Sequence, residues 1–272
     1  MSGNDSYTKL LMHGDGSDVS TTIPDSSIGG DHGNATVVGN AQLDTAQKKY
    51  GTASLLVDAD ADYIYWPDHD DWYQGTGNFT IDFCKRFSDL STHRGLFQQY
   101  VDADNYVSLY WADNVNKFTF RLKNASPYYY FSLESSVQSI SVDTWYHLAV
   151  IRGWGEGSND WAITLDGTAI ATGTDADAWP QLAAPFCIGR GYYASATVYD
   201  RGWTDEFRIS KGIARWTSNF TPPVGGYSKL DLNINISDVW KGIDEMKINI
   251  GDTWKEVSEM KSNIGDVWKT IF

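Results

Sequence analysis

The 272-residue chain is 42% hydrophobic and 14% aromatic, with 12 Trp and 16 Tyr, which is enough apolar side chain for a packed core and excludes a disordered protein. Its formal net charge of -14 argues against nucleic-acid partners, because phosphate binding draws on clustered Lys and Arg. Two cysteines, Cys84 and Cys187, are too few for a disulfide scaffold or a cysteine zinc cluster, and both lie in strand-like runs where we expect small buried side chains.

The N-terminal decapeptide MSGNDSYTKL lacks a basic segment followed by an apolar one. No stretch of the sequence approaches the roughly 18 apolar residues of a membrane-spanning helix. We therefore expect neither Sec-dependent secretion nor membrane insertion. A protein of this kind that works outside a cell leaves by another route, such as lysis of a phage-infected host.

Short runs of alternating polarity fill most of the chain and predict half-buried strands. Clear cases are Phe79–Phe83, Val107–Trp111, Phe118–Leu122 and Trp161–Leu165. Turn clusters rich in Gly, Asn, Asp and Ser separate them, as in Gly153–Asp160. With no convincing helical stretch before the C-terminal segment, this pattern predicts an antiparallel sandwich or jelly roll.

The second half of the chain contains a series of distinctive motifs. They are Trp145–Arg152 (WYHLAVIR), Ile163–Gly167 (ITLDG), Phe186–Gly189 (FCIG), Trp203–Arg215 (WTDEFRISKGIAR) and Phe220–Pro223 (FTPP). Together and in this order they resemble the laminin-G-like, concanavalin A-like lectin/glucanase family. The resemblance extends over roughly residues 7 to 226. It implies an all-β jelly-roll domain over residues 1–226, and it is less informative about function, because one fold hosts many functions.

The resemblance also implies a calcium site, since related domains often hold an ion between the N-terminal strands and the closing strand. Asp15 and Asp205 occupy those places, and Asp18 and Asp25 could assist them. Calcium takes six to eight oxygen ligands, which carboxylates and loop carbonyls supply. The alternative is that Asp15 and Asp18 cap turns, as aspartate does in many loops.

Aromatic residues predicted to face outward form the candidate glycan site, because rings stack on sugar C–H faces while polar groups bind hydroxyls. The alternation of the strands and two Gly-rich loops supply these residues. The candidates are Tyr106, Tyr110, Arg121, Tyr128, Tyr130, Trp154, Tyr192 and Tyr193. Tyrosine is also a good strand former, so a structural role is the alternative for each.

The glucanase branch of the family makes a glycoside hydrolase an alternative function. The Glu-x-Asp-x-(x)-Glu strand that supplies two catalytic carboxylates in that branch does not occur in this sequence. The five histidines (His13, His32, His69, His93, His147) are dispersed and show no catalytic or metal-binding spacing. We therefore expect no catalytic residue and no enzymatic activity.

Residues 227–272 form a second module with a 14-residue repeat, marked by Trp240, Trp254 and Trp268. Such short units cannot each bury an apolar face alone, so they must stack on one another or on another chain. A heptad-like pattern of apolar residues would suit a coiled coil. Against it, each repeat contains a glycine, which costs about 1 kcal/mol in a helix relative to Ala.

A β-meander is the interpretation we favour for this repeat, with the coiled coil as the alternative. Two-residue turns at Gly251-Asp252 and Gly265-Asp266 suit type II′ hairpins, and a further turn falls at Ser258-Glu259. This register opposes Lys247 to Glu256, and Glu256 to Lys261, on neighbouring strands.

The Asn-Ile-Gly and Trp-Lys repeats resemble the C-terminal repeats of phage tail and other virion proteins. We expect a homo-oligomer, taken to be a trimer, with contacts through Trp240, Trp254, Trp268, Ile250 and Ile264.

The resulting hypothesis is a non-enzymatic protein of a bacteriophage particle or tail fibre. Its lectin-like domain would bind host-surface glycans, and its tail would oligomerise or attach to other virion proteins. A purely structural virion protein, such as a capsid decoration or tail component, is the first alternative, and a glycoside hydrolase is the second.

Overall fold

The computed structural model describes residues 3–228 in full and, beyond them, the backbone of six short segments between residues 232 and 270. Residues 6–226 form one compact unit, and residues 3–5 with the segment from residue 227 onward form a second. No helical turn among the described residues is long or apolar enough to span a membrane.

Residues 6–226 fold into two packed antiparallel sheets. The larger sheet has eight strands, in the order β13-β12-β11-β6-β17-β4-β3, with β1 also paired to β17. Its strands are β1 (Thr8–Met12), β3 (Gln42–Asp44), β4 (Ser54–Val57), β6 (Phe79–Phe87), β11 (Trp145–Arg152), β12 (Asp160–Leu165), β13 (Thr168–Thr174) and β17 (Gly202–Lys211).

The second sheet has seven strands, in the order β10-β9-β8-β7-β14-β5-β2. These are β2 (Thr36–Val38), β5 (Tyr63–Trp66), β7 (Arg94–Asp102), β8 (Asn105–Ala112), β9 (Lys117–Ala125), β10 (Tyr128–Glu134) and β14 (Phe186–Ile188). A separate hairpin joins β15 (Arg190–Tyr193) to β16 (Ala196–Tyr199). The described helical elements are two 3₁₀ turns, Asp70–Trp72 and Trp154–Glu156. The jelly-roll prediction is confirmed, and each of the four strands predicted from alternation lies within an observed strand.

Aromatic side chains from the inner faces of both sheets pack against one another in the core of the sandwich. Phe97 of the seven-stranded sheet contacts Phe83 and Phe207 of the eight-stranded sheet, with ring centroids 6.3 and 6.0 Å apart. Phe83 and Phe207 themselves stack at 5.1 Å. Burying each such ring contributes about 1.5–3 kcal/mol. As the sequence suggested, Cys84 and Cys187 are buried and unbridged.

Strand β17 contains a β-bulge within its Asp-Glu-Phe-Arg motif. Asp205 pairs with Cys84 and Arg208 pairs with Asp82, so two residues of β17 stand opposite one residue of β6. The bulged Glu206 has a left-handed backbone, with φ of 51°. The extra residue changes the alternation, so that both Asp205 and Arg208 lie on the outer face while the phenylalanine between them enters the core.

The C-terminal repeat forms three antiparallel hairpins rather than a coiled coil in its described segments. The paired strands are β18 (Leu232–Ile236) with β19 (Val239–Ile243), β20 (Lys247–Ile250) with β21 (Thr253–Glu256), and β22 (Lys261–Ile264) with β23 (Val267–Thr270).

The register of the second hairpin places Lys247 opposite Glu256, as predicted. Each of these strands pairs only with its partner in the same hairpin, so among the described segments Glu256 does not pair with Lys261. The prediction of a continuous meander is therefore wrong for these segments. The predicted turns at Gly251-Asp252, Ser258-Glu259 and Gly265-Asp266 lie outside the described residues.

Replacing Phe97 tests its contacts with Phe83 and Phe207 between the two sheets. We expect Phe97→Ala to lower the free energy of unfolding by about 3–5 kcal/mol, because it leaves a cavity between the sheets. Urea denaturation measures this, and Phe97→Leu is the control, with a cost below about 1.5 kcal/mol. An unchanged urea midpoint in Phe97→Ala would contradict the packing described.

Candidate functional site

The β15–β16 hairpin folds back over the outer face of the seven-stranded sheet. Two glycines permit this approach, since a Cβ on Gly95 would lie 2.0 Å from the backbone nitrogen of Gly191. The backbone N–H of Tyr192 donates a hydrogen bond of 2.9 Å to Ser108 Oγ of β8. The hairpin is therefore held directly against β7 and β8.

Tyrosine rings gather beneath and beside this hairpin. The ring of Tyr192 lies 4.6 Å from Tyr100 and 4.9 Å from Tyr106, and the ring of Tyr193 lies 5.0 Å from Tyr110. The register of β8, β9 and β10 places Tyr130 in the same cross-strand row as Tyr106, through Lys123. We define the tyrosine face as Tyr100, Tyr106, Tyr110, Tyr130, Tyr192 and Tyr193.

The guanidinium group of Arg121 adds a cation to the tyrosine face. Its Cζ lies 5.3 Å from the ring centre of Tyr110 and 5.7 Å from that of Tyr193, within the range of cation–π attraction. Burial raises the pKa of Tyr110, although the charge of Arg121 opposes that shift. Tyr110 is therefore a neutral phenol at physiological pH.

Four buried polar atoms on this face have no hydrogen-bond partner among the described residues. They are Gln98 Oε1, Arg121 Nε, Ser132 Oγ and Arg190 Nε. Gln98, Ser108, Arg121 and Ser132 form one row across four strands. An unpaired buried polar group costs about 1–3 kcal/mol, so in solution these atoms bind water or a ligand. Together with the rings, they suit a ligand that has both an apolar face and hydroxyl groups.

Seven of the eight predicted residues lie on or beside this face, with Tyr128 next to Tyr130 on β10, but they do not serve it equally. Tyr106 and Tyr110 point out of the sandwich as expected, yet the hairpin covers them and leaves them 5% and 1% exposed. Tyr128 and Tyr130, near the start of β10, are the exposed rings, at 73% and 45%. The buried pair therefore supports the face, and the exposed pair can contact a ligand.

Trp154 lies elsewhere in the domain. Its 3₁₀ turn follows β11 of the eight-stranded sheet, and the turn is held there by a 2.8 Å hydrogen bond from Gly155 N to Thr217 O. Trp154 does not join the tyrosine face.

Sequence reasoning found Arg121 of the polar row but missed Gln98 and Ser132, and it missed Arg190 beside the row. The alternation around Phe97 does place Gln98 outward, so that residue could have been found. Arg190 stacks over Tyr63, with Cζ 4.6 Å from the ring centre, only because the hairpin doubles back over the sheet. Local sequence carries no signal for that long-range approach.

Two of the four aspartates predicted as calcium ligands hold separate turns. Asp18 Oδ1 accepts a hydrogen bond from the backbone N–H of Thr45 at 3.1 Å. Asp25 Oδ1 accepts from the backbone N–H groups of Leu11 and Ser27, both at 2.9 Å. The contact of Asp18 matches the turn-capping alternative given for that residue, and Asp25 makes contacts of the same kind.

Asp15 and Asp205 hold one loop between them. Asp205 Oδ2 accepts from the N–H groups of Lys49 and Tyr50 at 2.7 and 3.0 Å, and Asp15 accepts from Thr52. The other oxygen of Asp205 is buried without a hydrogen-bond partner, which suits a cation or a water. No group of three or more ligand side chains includes Asp205 in the described part of the chain, so a calcium site here stays a prediction.

The outer face of the eight-stranded sheet carries a buried charged cluster. Asp82 accepts a 2.9 Å hydrogen bond from Arg208 Nε, and His147 Nε2 lies 3.3 Å from its second oxygen. Trp216 and Phe220 stack at 3.9 Å beside His147. Burial raises the pKa of Asp82, but Arg208 and His147 outweigh burial and lower it to about 2.

A cavity of ≈ 380 Å³ lies beside this cluster. Its lining comprises Lys49, Tyr50, Cys84, His147, Asp166, Pro222, Pro223 and Val224. Burial raises the pKa of the Cys84 thiol well above its usual range, so the sulfur is a neutral thiol and a poor nucleophile.

The sandwich is a concanavalin A-like jelly roll. Residues 58–215 match a laminin-G-type family model described as Concanavalin A-like lectin/glucanases superfamily, and the chain belongs to this family. No curated protein matches the sequence.

Solved structures share the fold at low identity. Domain 4 of AbnA, a GH43 extracellular arabinanase from Geobacillus stearothermophilus, in complex with arabinotriose, is 19% identical with a TM-score of 0.56, over 76% of this chain and 94% of that one. The botulinum neurotoxin serotype D binding domain is 17% identical with a TM-score of 0.53, over 77% of this chain. The match spans 49% of the neurotoxin domain, about half its length.

A third similar structure comes from work on cell entry of botulinum neurotoxin type C, described as dependent upon interaction with two ganglioside molecules. It is 15% identical with a TM-score of 0.51, over 76% of this chain and 48% of that one.

The buried carboxyl of Asp205 predicts a pH dependence of stability. Burial raises its pKa to about 7, with the neighbouring Glu206 adding to the shift, whereas an unfolded Asp titrates near about 3.9. The folded state binds the proton more tightly, so this contribution to stability is complete below about pH 4 and is lost as pH rises through about 7. Over that window the free energy of unfolding of the wild type should fall by on the order of 4 kcal/mol relative to that of Asp205→Asn. Urea denaturation at several pH values measures this difference.

The exposed turn residue Asp18, replaced by Asn, is the control and should leave the pH profile of the wild type unchanged. Equal profiles for the wild type and Asp205→Asn would refute the assignment. Repeating the series with calcium tests the ion site, because an ion held by ionised Asp205 would remove the loss near neutral pH.

Proposed function

We propose that this protein is a non-enzymatic, lectin-like module that binds glycans at the tyrosine face. We also propose that it belongs to a phage particle, where the C-terminal repeats oligomerise it or attach it to other virion proteins. The observation that carries glycan binding is the row of unpaired polar atoms beside exposed tyrosine rings. A sugar presents hydroxyl groups and an apolar C–H face together, and this surface offers partners for both.

The fold relatives support a glycan ligand. The arabinanase domain was solved with arabinotriose, and the type C neurotoxin is described as interacting with gangliosides. Both share the jelly-roll fold with this chain, so a sugar-binding role is well precedented among its structural relatives. The residues that would contact the sugar here are argued from this chain alone.

The binding mode follows from which groups are exposed. Tyr128 and Tyr130 lie two residues apart on β10, so their rings project from the same side of the strand. A sugar stacked on Tyr130 would lie beside Ser132, the next residue on that side, and beside Arg121 opposite it. Hydroxyl groups of that sugar could then satisfy Ser132 Oγ and Arg121 Nε.

Removing the ring of Tyr130 tests the tyrosine face. We expect Tyr130→Ala to weaken binding of a responding polysaccharide about tenfold, roughly 1.4 kcal/mol, because the stacking surface is lost. Glycan-array screening with neutral and acidic sugars, with and without calcium, identifies the ligand, and calorimetry on that ligand measures the change.

Tyr7→Ala is a matched control for this experiment, because Tyr7 is 47% exposed against 45% for Tyr130 and lies outside the tyrosine face. Equal loss of affinity in both variants would point to a non-specific effect. If no glycan binds the wild type, the tyrosine face is not a sugar site, and the purely structural virion protein becomes the better account.

A binding rather than catalytic role is supported by the chemistry of the polar clusters. The Cys84 thiol is neutral, and Asp82 is engaged by both Arg208 and His147. A carboxylate held in that way stabilises the fold and is a poor general acid, since its pKa is lowered to about 2.

The repeated tail supports multivalent display on a particle. Its three hairpins have the same register, with Trp240, Trp254 and Trp268 each opposite an asparagine of its own repeat. A two-stranded hairpin is marginally stable alone, so each needs a covering surface. Oligomerisation would supply that cover, and presenting several weak sugar sites together raises avidity by about 10²–10⁴.

Substituting the repeat tryptophans tests the tail. We expect the full chain with Trp254→Ala and Trp268→Ala to shift from a homo-oligomer towards the monomer, measured by light scattering after size-exclusion chromatography. The paired change Thr253→Ala and Thr270→Ala is the control and should keep the assembly. A wild type that is itself monomeric at micromolar concentration would contradict oligomerisation through the tail and leave attachment to another protein.

A further inference from the structure

Two loops that are distant in sequence bring three metal-binding side chains together. His32 Nε2 lies 3.2 Å from His69 Nδ1 and 3.2 Å from Asp71 Oδ2, and His69 Nδ1 lies 3.3 Å from Asp71 Oδ2. The three atoms therefore form a nearly equilateral triangle. His32 belongs to the loop after β1, whereas the other two residues begin the 3₁₀ turn Asp70–Trp72.

Hydrogen bonds around the triangle indicate which of its atoms carry lone pairs. His32 Nδ1 lies 2.8 Å from Asp25 Oδ2. Asp25 also accepts hydrogen bonds from the backbone N–H groups of Leu11, Ser27 and His32, so its carboxylate acts as an acceptor. His32 Nδ1 therefore donates to Asp25, and in the neutral imidazole Nε2 presents a lone pair to the triangle.

The other two corners are also acceptors. His69 Nδ1 accepts a 3.1 Å hydrogen bond from the backbone N–H of Asp71, so this nitrogen carries a lone pair rather than a hydrogen. Asp71 contributes a carboxylate oxygen. Three acceptors at about 3 Å repel one another unless a positive charge lies between them, and that charge can be a metal ion or a proton on His32 Nε2.

The size and chemistry of the triangle fit zinc. Zinc binds imidazole nitrogen at about 2.0–2.1 Å, so two ligands on a tetrahedron lie about 3.3–3.4 Å apart. Two imidazoles and one carboxylate suit zinc-class ions, whereas calcium prefers six to eight oxygens. The side chain of His69 is 52% exposed, which leaves an open side for a fourth ligand such as water.

We propose that His32, His69 and Asp71 bind one divalent transition-metal ion of the zinc class. To coordinate it, His69 Nδ1 exchanges its hydrogen bond with Asp71 N–H for the metal, a small rotation for a half-exposed ring. Asp25 acts as the outer partner that orients His32, in the way that carboxylates commonly orient zinc-bound histidines.

The ion would join two loops beside the core. Trp72 is fully buried, and its ring lies 4.5 Å from the ring of His32 and 5.7 Å from that of Phe186. A metal held by His32, His69 and Asp71 therefore stabilises the loops against this tryptophan. The site is independent of the tyrosine face and of the proposed glycan binding.

Metal titration of the full, untagged chain after chelation tests this proposal. We expect calorimetry to show one zinc ion per chain, cobalt to give the visible absorption of a low-symmetry imidazole site, and saturating zinc to raise the melting temperature. His69→Ala and Asp71→Asn should each weaken zinc binding at least tenfold and abolish the cobalt absorption. Asp25→Asn should weaken binding about 10- to 100-fold while keeping the ligands.

Two variants control for nearby charge and for histidine number. Asp70→Asn changes the neighbouring carboxylate, which accepts from Gln181, and His93→Ala removes a histidine that pairs with Asp113 elsewhere. Both should bind zinc as the wild type does. Circular dichroism confirms folding, and exposed His69 offers a substitution that leaves the core intact.

No saturable zinc binding below about 1 mM would overturn the proposal and leave a proton as the charge within the triangle. Unchanged binding in both His69→Ala and Asp71→Asn would overturn it as well, because the ion would then be held elsewhere.

Discussion

The β-bulge at Glu206 is the constraint on which the eight-stranded sheet depends. Strand β17 pairs with β1, β4 and β6, so a change in its alternation changes which side chains lie opposite one another in three strand pairs. Because of the extra residue, Phe207 of β17 packs against Phe83 and Phe97 in the core while Asp205 and Arg208 both lie on the outer face. The left-handed backbone of Glu206 thus sets the side-chain directions of its neighbours. As a result, Asp205 reaches the loop at Lys49 and Tyr50, and Arg208 reaches Asp82.

The seven-stranded sheet solves a different problem, because its outer face is covered only in part. The β15–β16 hairpin buries Tyr106 and Tyr110 while leaving part of the polar row of β7 to β10 without partners. Burying a polar atom without a hydrogen bond is costly, and proteins retain such atoms mainly where a ligand or ordered water satisfies them. The buried polar atoms that lack hydrogen-bond partners within the described part of the chain thus lie next to the exposed rings of Tyr128 and Tyr130, and their unpaired state lowers the stability of the free protein.

The sequence predicted features that follow from local periodicity. Alternation around Val107, Leu109 and Trp111 correctly set the direction of Tyr106 and Tyr110, because strand geometry fixes side-chain direction within two residues. It could not reveal that these rings are covered, since the cover comes from a hairpin more than 80 residues away, as the hydrogen bond between Tyr192 and Ser108 shows.

The histidines illustrate the same limit more sharply. His32 and His69 are 37 residues apart, and neither lies near a second histidine in sequence, so motif spacing gave no metal site. They meet because both loops lie against Trp72. In the tail, turn chemistry and charge pairing predicted the Lys247–Glu256 register, because a hairpin is local. The same reasoning failed between repeats, where no short turn dictates which strand pairs with which.

The acidic composition of the chain has a structural explanation that bears on its chemistry. Many aspartates serve as acceptors for loop backbone N–H groups: Asp62, which is 2% exposed, accepts from Asn40 at 2.7 Å and from Ala59 at 3.0 Å. Such charge-assisted bonds stabilise turns that would otherwise leave N–H groups unpaired. A carboxylate engaged in this way has less capacity for a metal, so net charge alone is weak support for calcium. The triangle around His32 differs because its three acceptor atoms lie 3.2–3.3 Å from one another, and only His69 Nδ1 among them is known to accept from a backbone N–H, that of Asp71. The mutual repulsion of these acceptors is a stronger physical reason to expect a bound cation than net charge is.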